Sequence, residues 1–304
     1  MVDLSGNNKK GSVFIKKTYV LAGIAIFFWS TVATVSKLLL GTMDKFQVLC
    51  ISAFIAALAL FVVNLCTGRL RQLKTYGVKD YVHSISAGLL GNFVYYVFYY
   101  AGAERMPASQ AFIVNYLWPI MSVVFACVLL KEKMTGRKVL AFALSFLGVV
   151  TVAGGDLLQF DGKILSGVAL CAAGAVCYGA FTALNKKWNC DAQLGMMLSF
   201  AVSFLLSLLL NLARDAEWTL NGDQIAGLAW NGMCCMAFGS VCWALALKDG
   251  NTAKVSNLAY ITPFLSLVWV AVFLKEMPTP WSVAGLCLIV LGIFVQLKEK
   301  TRKK

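Results

Sequence analysis

Apolar residues in this chain fall in long, nearly unbroken runs, with polar residues confined to the short stretches between them. Ten runs stand out, at about 18–40, 46–66, 81–103, 107–130, 137–155, 164–184, 192–212, 225–247, 252–273 and 280–297. Each approaches the roughly 20 residues that carry a helix across a hydrocarbon core. Backbone N–H and C=O groups in lipid must pair within their own segment, so runs of this kind predict helices and not open sheets. The loops are too short to hold a separate soluble domain. The basic start leads into a run too long for a signal peptide and is read as a retained first helix. The expected architecture is an all-α membrane protein with ten transmembrane helices.

The fourth and ninth runs are written alike. Asn115-Tyr116-Leu117-Trp118-Pro119 leads into apolar residues ending at Lys131-Glu132, and Ala259-Tyr260-Ile261-Thr262-Pro263 leads into a run ending at Lys275-Glu276. Tyr, Pro and Glu all recur after 144 residues, and Gly148 and Gly292 keep the same offset. A weaker echo at an offset of 149 sets Tyr178-Gly179 against Trp29-Ser30 and Lys186 against Lys37. These repeats divide the chain into two five-helix halves, 1–155 and 156–304. Five is odd, so the second half must lie inverted relative to the first.

Composition agrees with this reading: 60% of residues are hydrophobic, 13% charged, and the mean hydropathy is +0.75. The net charge of +13 would suit a nucleic-acid partner were it not for its placement. With ten spans and both termini cytoplasmic, 21 Lys and Arg fall on the inner side and five on the outer, a positive-inside pattern that leaves no role for nucleic acid. The ten cysteines are scattered without a C-x-x-C and read as small packing residues. No metal or cofactor motif is present.

Candidate chemistry lies at mid-membrane depth. Pro119 and Pro263 each remove one backbone bond, freeing the carbonyls of Asn115 and Ala259 and kinking their helices. Such kinks serve either packing or a ligand. Trp29, Trp118, Tyr178 and Trp243 offer ring faces, and Ser30, Thr31, Asn115, Tyr116 and Tyr260 offer hydrogen bonds. In the third run Tyr95 and Tyr99 share one helical face, and Tyr96 and Tyr100 the other. One face reads as pocket lining, or both as an interfacial belt. His83 reads as an interfacial bystander, and Lys37 as a snorkelling cation. Gly148, Gly285 and Gly292 permit close helix packing, within the chain or in a homodimer.

What is missing narrows the mechanism. All fourteen carboxylates lie in tails, loops or helix ends, so no buried proton relay is visible. There is no G-x-x-x-x-G-K-[ST] loop, no G-x-S-x-G and no H-x-x-E-H. A nucleotide-driven pump, an intramembrane hydrolase and a proton-coupled antiporter are all disfavoured. A carrier for a small neutral or zwitterionic solute remains, with a passive pore as its rival.

These residues resemble a known group. Pro107-Ala108-Ser109, the paired Lys-Glu steps and the two central prolines are similar to the EamA type of the drug/metabolite transporter superfamily, which implies ten helices from a duplicated five-helix unit. Gly23-Ile24-Ala25-Ile26, Trp29-Ser30-Thr31, Val114 to Pro119, and Tyr260 with Thr262-Pro263 resemble the YddG-type exporters of aromatic amino acids. That narrower resemblance implies export of such amino acids across the bacterial inner membrane, through a cavity lined by both halves. Its expected substrate-binding residues are Trp29, Ser30, Tyr95, Tyr99, Asn115, Tyr116, Trp118, Tyr178, Trp243 and Tyr260. Another metabolite or a drug-like solute is the alternative cargo.

Overall fold

The computed structural model describes residues 5–157, 161–189, 191–249 and 258–297, and among these every regular element is helical. In chain order we label α1 (Lys17–Leu40), α2 (Lys45–Cys66), α3 (78–103), α4 (Ala108–Leu129), α5 (Gly136–Leu157), α6 (Gly162–Trp188), α7 (Ala192–Leu212), α8 (Gly222–Ala246), α9 (Ala259–Leu274) and α10 (Pro280–Leu297). Among the described residues seven helices are long and apolar enough to cross a membrane: α1, α2, α4, α5, α6, α7 and α8. Five tyrosines dilute the hydropathy of α3, while α9 and α10 are shorter apolar helices. The expected span 252–273 begins, with Lys254, outside the described residues.

The loop carboxylates explain where several helices start. Asp44 accepts from the Phe46 amide (2.9 Å), Asp161 from the Lys163 amide (2.9 Å) and Asp191 from the Leu194 amide (2.8 Å), while Asn221 caps α8 through Gln224. Each satisfies a backbone donor that the first turn of a helix leaves over. The acids absent from mid-membrane thus serve as caps at its edges.

Two helix pairs are the most extensively packed, α5 with α10 and α2 with α7. Glycines set the first. A Cβ on Gly148 would stand 2.7 Å from the Gly285 carbonyl oxygen and 2.6 Å from Ile289 Cγ1, and one on Gly292 would stand 2.7 Å from the Ala141 carbonyl oxygen. Gly148, Gly285 and Gly292 are therefore occupied within the chain, and the dimer contact considered for them is taken up by intrachain packing. Around these pairs α3 and α4 pack on α6, while α8 and α9 pack on α1. Asn231 on α8 donates to Ser52 Oγ (3.1 Å) and to the Tyr100 hydroxyl (2.9 Å), a buried polar knot that ties α8 to α2 and α3.

Polar contacts gather at two faces. The first face joins Lys45 to Glu104 (3.1 Å) and Arg214 to Asp44 (3.3 Å). Lys37, expected to snorkel, instead donates to the carbonyls of Ala103 and Met106 there, capping the end of α3. Glu276 accepts from the Ala108 and Ser109 amides (both 2.9 Å) and from the Ser109 hydroxyl, capping the start of α4. The second face joins Arg69 to Asp191 (3.2 Å) and Glu132 to Lys186 (3.0 Å) and Lys138 (3.3 Å). The hydrogen bond from Lys186 and the nearby ammonium groups hold the Glu132 carboxyl below the usual glutamate range. His83 stacks flat on Trp188 at this face, with ring centres 4.4 Å apart.

Gly148→Ala is expected to destabilise the protein by about 1–3 kcal/mol through overpacking of the α5–α10 seam. Gly136→Ala, where the added methyl meets open space, is expected to leave stability unchanged. Thermal unfolding of the detergent-solubilised variants checks both.

Candidate functional site

Two helices break where the prolines fall. In α4 the helix stops at Asn115, turns through Tyr116 and Leu117, and restarts at Trp118 with Pro119 in its first turn. The Leu117 amide reaches back only three residues, to the Val114 carbonyl (3.1 Å). In α9 a 3₁₀ turn at Ala259–Ile261 precedes a helix that begins at Thr262, again with Pro263 in its first turn. Pro119 and Pro263 each lie in the first turn of the segment after the interruption, where a missing N–H costs little. A third interruption, at Thr31 in α1, has no proline. There Ser30 Oγ and Thr31 Oγ1 donate to the Phe27 and Phe28 carbonyls (both 2.7 Å).

The two breaks meet. The Tyr116 hydroxyl donates to the Ala259 carbonyl oxygen across 2.6 Å. This is the carbonyl that Pro263, four residues on, has no N–H to satisfy. The Thr262 amide also donates to this carbonyl, so Tyr116 from the first half adds a second donor across the boundary between the halves.

Beside this bond lies a cavity of about 340 Å³ walled by α1, α3, α4, α6, α7, α8 and α9. Ten aromatic side chains contribute to its wall. Tyr178 sits 4.9 Å from Tyr95 and 5.2 Å from Trp118, edge-on to the latter at 79°, and Trp29 lies 5.4 Å from Trp243. Asn115 Nδ2 donates to the Tyr95 hydroxyl (3.1 Å), while its Oδ1 is buried without a partner. The indole of Trp29 is fixed by donation to the Cys235 carbonyl (3.1 Å). No Asp, Glu, Lys, Arg or His lines the cavity among the described residues. Its wall reaches Asn185 and Met196, near the second-face ends of α6 and α7. Toward the first face it stops at Phe112, beyond which Tyr99, Tyr100, Ala103 and Met106 are all buried.

Seven of the ten residues singled out from sequence line this space: Trp29, Tyr95, Asn115, Tyr116, Trp118, Tyr178 and Trp243. The other three do not. Ser30 is fully buried and accepts from the Trp269 indole (2.8 Å), so it braces α1 against α9. Tyr99 is buried behind the wall, stacked on Tyr95 at 6.0 Å. Tyr260 turns its ring to Phe294, 5.3 Å away. The tyrosines of α3 divide by depth and not by face: Tyr95 and Tyr96 line the cavity, whereas Tyr99 and Tyr100, one turn on, are core. The belt reading fails for that second pair, since a belt needs exposure. Residues overlooked include Phe181, Thr182 and Asn185. They follow Tyr178 at three, four and seven residues, the spacing of one helical face, and that periodicity could have found them.

Comparison with known proteins gives a consistent result. The profile of the EamA-like transporter family matches twice, over residues 16–154 and 165–297. An uncharacterised transporter of Clostridium kluyveri is 25% identical over 95% of both chains. The aromatic amino acid exporter YddG of Ancylobacter novellus is 23% identical over 88% of this chain and 92% of its own. A probable terminal-alkyne amino-acid exporter of Streptantibioticus cattleyicolor is 27% identical over 68% of this chain and 70% of its own. A solved crystal structure shares the fold with a TM-score of 0.68, covering 92% of this chain and 97% of that one at 21% identity.

Tyr116→Phe removes one of two donors to the Ala259 carbonyl, the Thr262 amide remaining, and is expected to cost about 0.5–1.5 kcal/mol, the net worth of one hydrogen bond. Tyr260→Phe keeps the ring that packs on Phe294 and is expected to change stability by less than about 0.5 kcal/mol. Parallel thermal melts of the two variants separate a cross-half hydrogen bond from plain aromatic packing.

Proposed function

This chain belongs to the EamA-like transporter family, and from that premise we propose that it exports aromatic or other hydrophobic amino acids across the bacterial cytoplasmic membrane. It is a transporter and not an enzyme. The observation that carries the substrate reading is the cavity: ring-walled, free of fixed charge, and seated where a helix break from each half meets the other. In our reading all ten helices cross the bilayer, as two inverted halves, 1–155 and 156–304.

Several features support the inverted arrangement. Exchange of each helix for the one five places on maps α3–α6 contact onto α8–α1, and α4–α6 onto α9–α1, both of which occur. The α5–α10 and α2–α7 pairs map onto themselves. π-helical turns interrupt α3 at Leu89–Val94 and α8 at Trp230–Phe238. Lys131 and Lys275, 144 residues apart, both adopt the left-handed conformation, with φ of 55° and 57°.

Transport then proceeds by alternating access. The second face carries the basic surplus and is the cytoplasmic one. The present form receives cargo from that side, with the first face sealed. An aromatic side chain stacks among Tyr95, Trp118 and Tyr178, and an ammonium group is placed against Asn115 Oδ1 and the negative end of the half-helix Ala108–Asn115. No Arg clamps the carboxylate, so binding is weak, and weak binding suits release into the periplasm.

In proteoliposomes, the purified protein is expected to exchange labelled phenylalanine or tryptophan for internal unlabelled substrate, with saturation. Trp118→Ala is expected to slow exchange about fivefold to tenfold, the worth of one stacking face at roughly 1–1.5 kcal/mol. Absence of exchange with every aromatic amino acid would reject the substrate class, and uptake that never saturates would point to a pore.

A further inference from the structure

Two lysine–glutamate pairs occupy matched places in the two halves and behave differently. Lys37 and Lys186 correspond at the offset of 149, and Glu276 and Glu132 at 144. At the second face Lys186 and Glu132 bond directly to one another, at 3.0 Å. At the first face the matching pair is drawn apart, although Glu276 remains the carboxylate acting most strongly on Lys37. Each partner instead grips one side of the turn between α3 and α4. The Lys37 ammonium holds the Ala103 and Met106 carbonyls, and the Glu276 carboxylate holds the Ala108 and Ser109 amides and the Ser109 hydroxyl.

Electrostatics makes this a coherent grip. The cation sits on the carbonyl end of α3 and the anion on the amide end of α4, each at the helix terminus that favours its sign. These are charge-assisted hydrogen bonds, about twice as strong as neutral ones. Glu276 also crosses between halves, since it follows α9 while α4 belongs to the first half. The clamp therefore closes the first face by binding the halves together over the α3–α4 turn.

The geometry points to a partner exchange. Lys37 and Glu276 clamp the α3–α4 turn while the first face is shut. When it opens they release the turn and pair with one another, in the arrangement that Lys186 and Glu132 hold at the second face. The same two charges are satisfied in both states, by backbone dipoles in one and by each other in the other. Neither state leaves an ion bare near the membrane edge, so the exchange is cheap in free energy. Both residues are positioning residues of the transport cycle proposed above, and neither touches the cavity.

Hydrogen–deuterium exchange of the full-length protein in nanodiscs tests this, read at the backbone amides of 103–109. Glu276→Gln is expected to raise exchange in this turn at least fivefold, as is Lys37→Gln. Glu132→Gln, which weakens the pairing at the second face, is expected to leave the turn as protected as in the parent or more so. Ser109→Ala, which removes one contact of the clamp, is expected to raise exchange by a smaller factor and covers the case in which Glu276→Gln fails to fold. Unchanged exchange in Glu276→Gln and Ser109→Ala would overturn the clamp, and an equal rise in Glu132→Gln would overturn the opposition between the two pairs. Loss of protection without any exchange of labelled phenylalanine would keep the clamp and reject the substrate assignment.

Discussion

A backbone carbonyl in a bilayer has no water to turn to, and this structure is organised around answering that demand. Pro263 cannot give the Ala259 carbonyl its i+4 amide; the Thr262 amide takes up that oxygen in a tighter 3₁₀ turn, and Tyr116 from the other half adds a second donor at 2.6 Å. Because the donor stands beside Pro119, the two broken helices must meet. The cavity follows from that meeting, since interrupted helices cannot pack flush and the gap between them is filled by rings. Fold and candidate site are thus consequences of the same two prolines.

The same logic governs the charged groups. Carboxylates are excluded from the cavity and gather where helix ends offer free amides: Asp44, Asp161 and Asp191 at the starts of α2, α6 and α7, and Glu276 at the start of α4. The first three tie a helix to its own preceding loop and fix where it begins. Glu276 differs because it caps a helix of the opposite half, so a local stabilising contact also spans the boundary along which the halves would move. Lys37 and Lys186 complete the contrast between a gripped face and a paired one.

Much of this was legible in the sequence because it repeats. The recurrence of Tyr, Pro and Lys-Glu after 144 residues located both breaks, and the mid-membrane rings of Trp29, Trp118, Tyr178 and Trp243 do stand around one space. What escaped notice depends on depth and on distant partners. Tyr95 and Tyr99 do share a face of one regular helical segment, but Tyr99 stands one turn deeper, behind the wall and not in it. The break at Thr31 arises from hydroxyls turned back on their own helix, a choice that serine and threonine leave open in any sequence. The fate of Lys37 turned on two carbonyls more than sixty residues away in the chain.

The lack of ionised groups in the cavity wall has an energetic corollary. Moving one elementary charge through the membrane field is worth about 2.3 kcal/mol per 100 mV. In the carrier cycle proposed above, a pocket whose described residues contribute no charge, reorienting empty or around a zwitterion, would displace no net charge through that field. Under the proposed cycle voltage then neither drives nor retards that step.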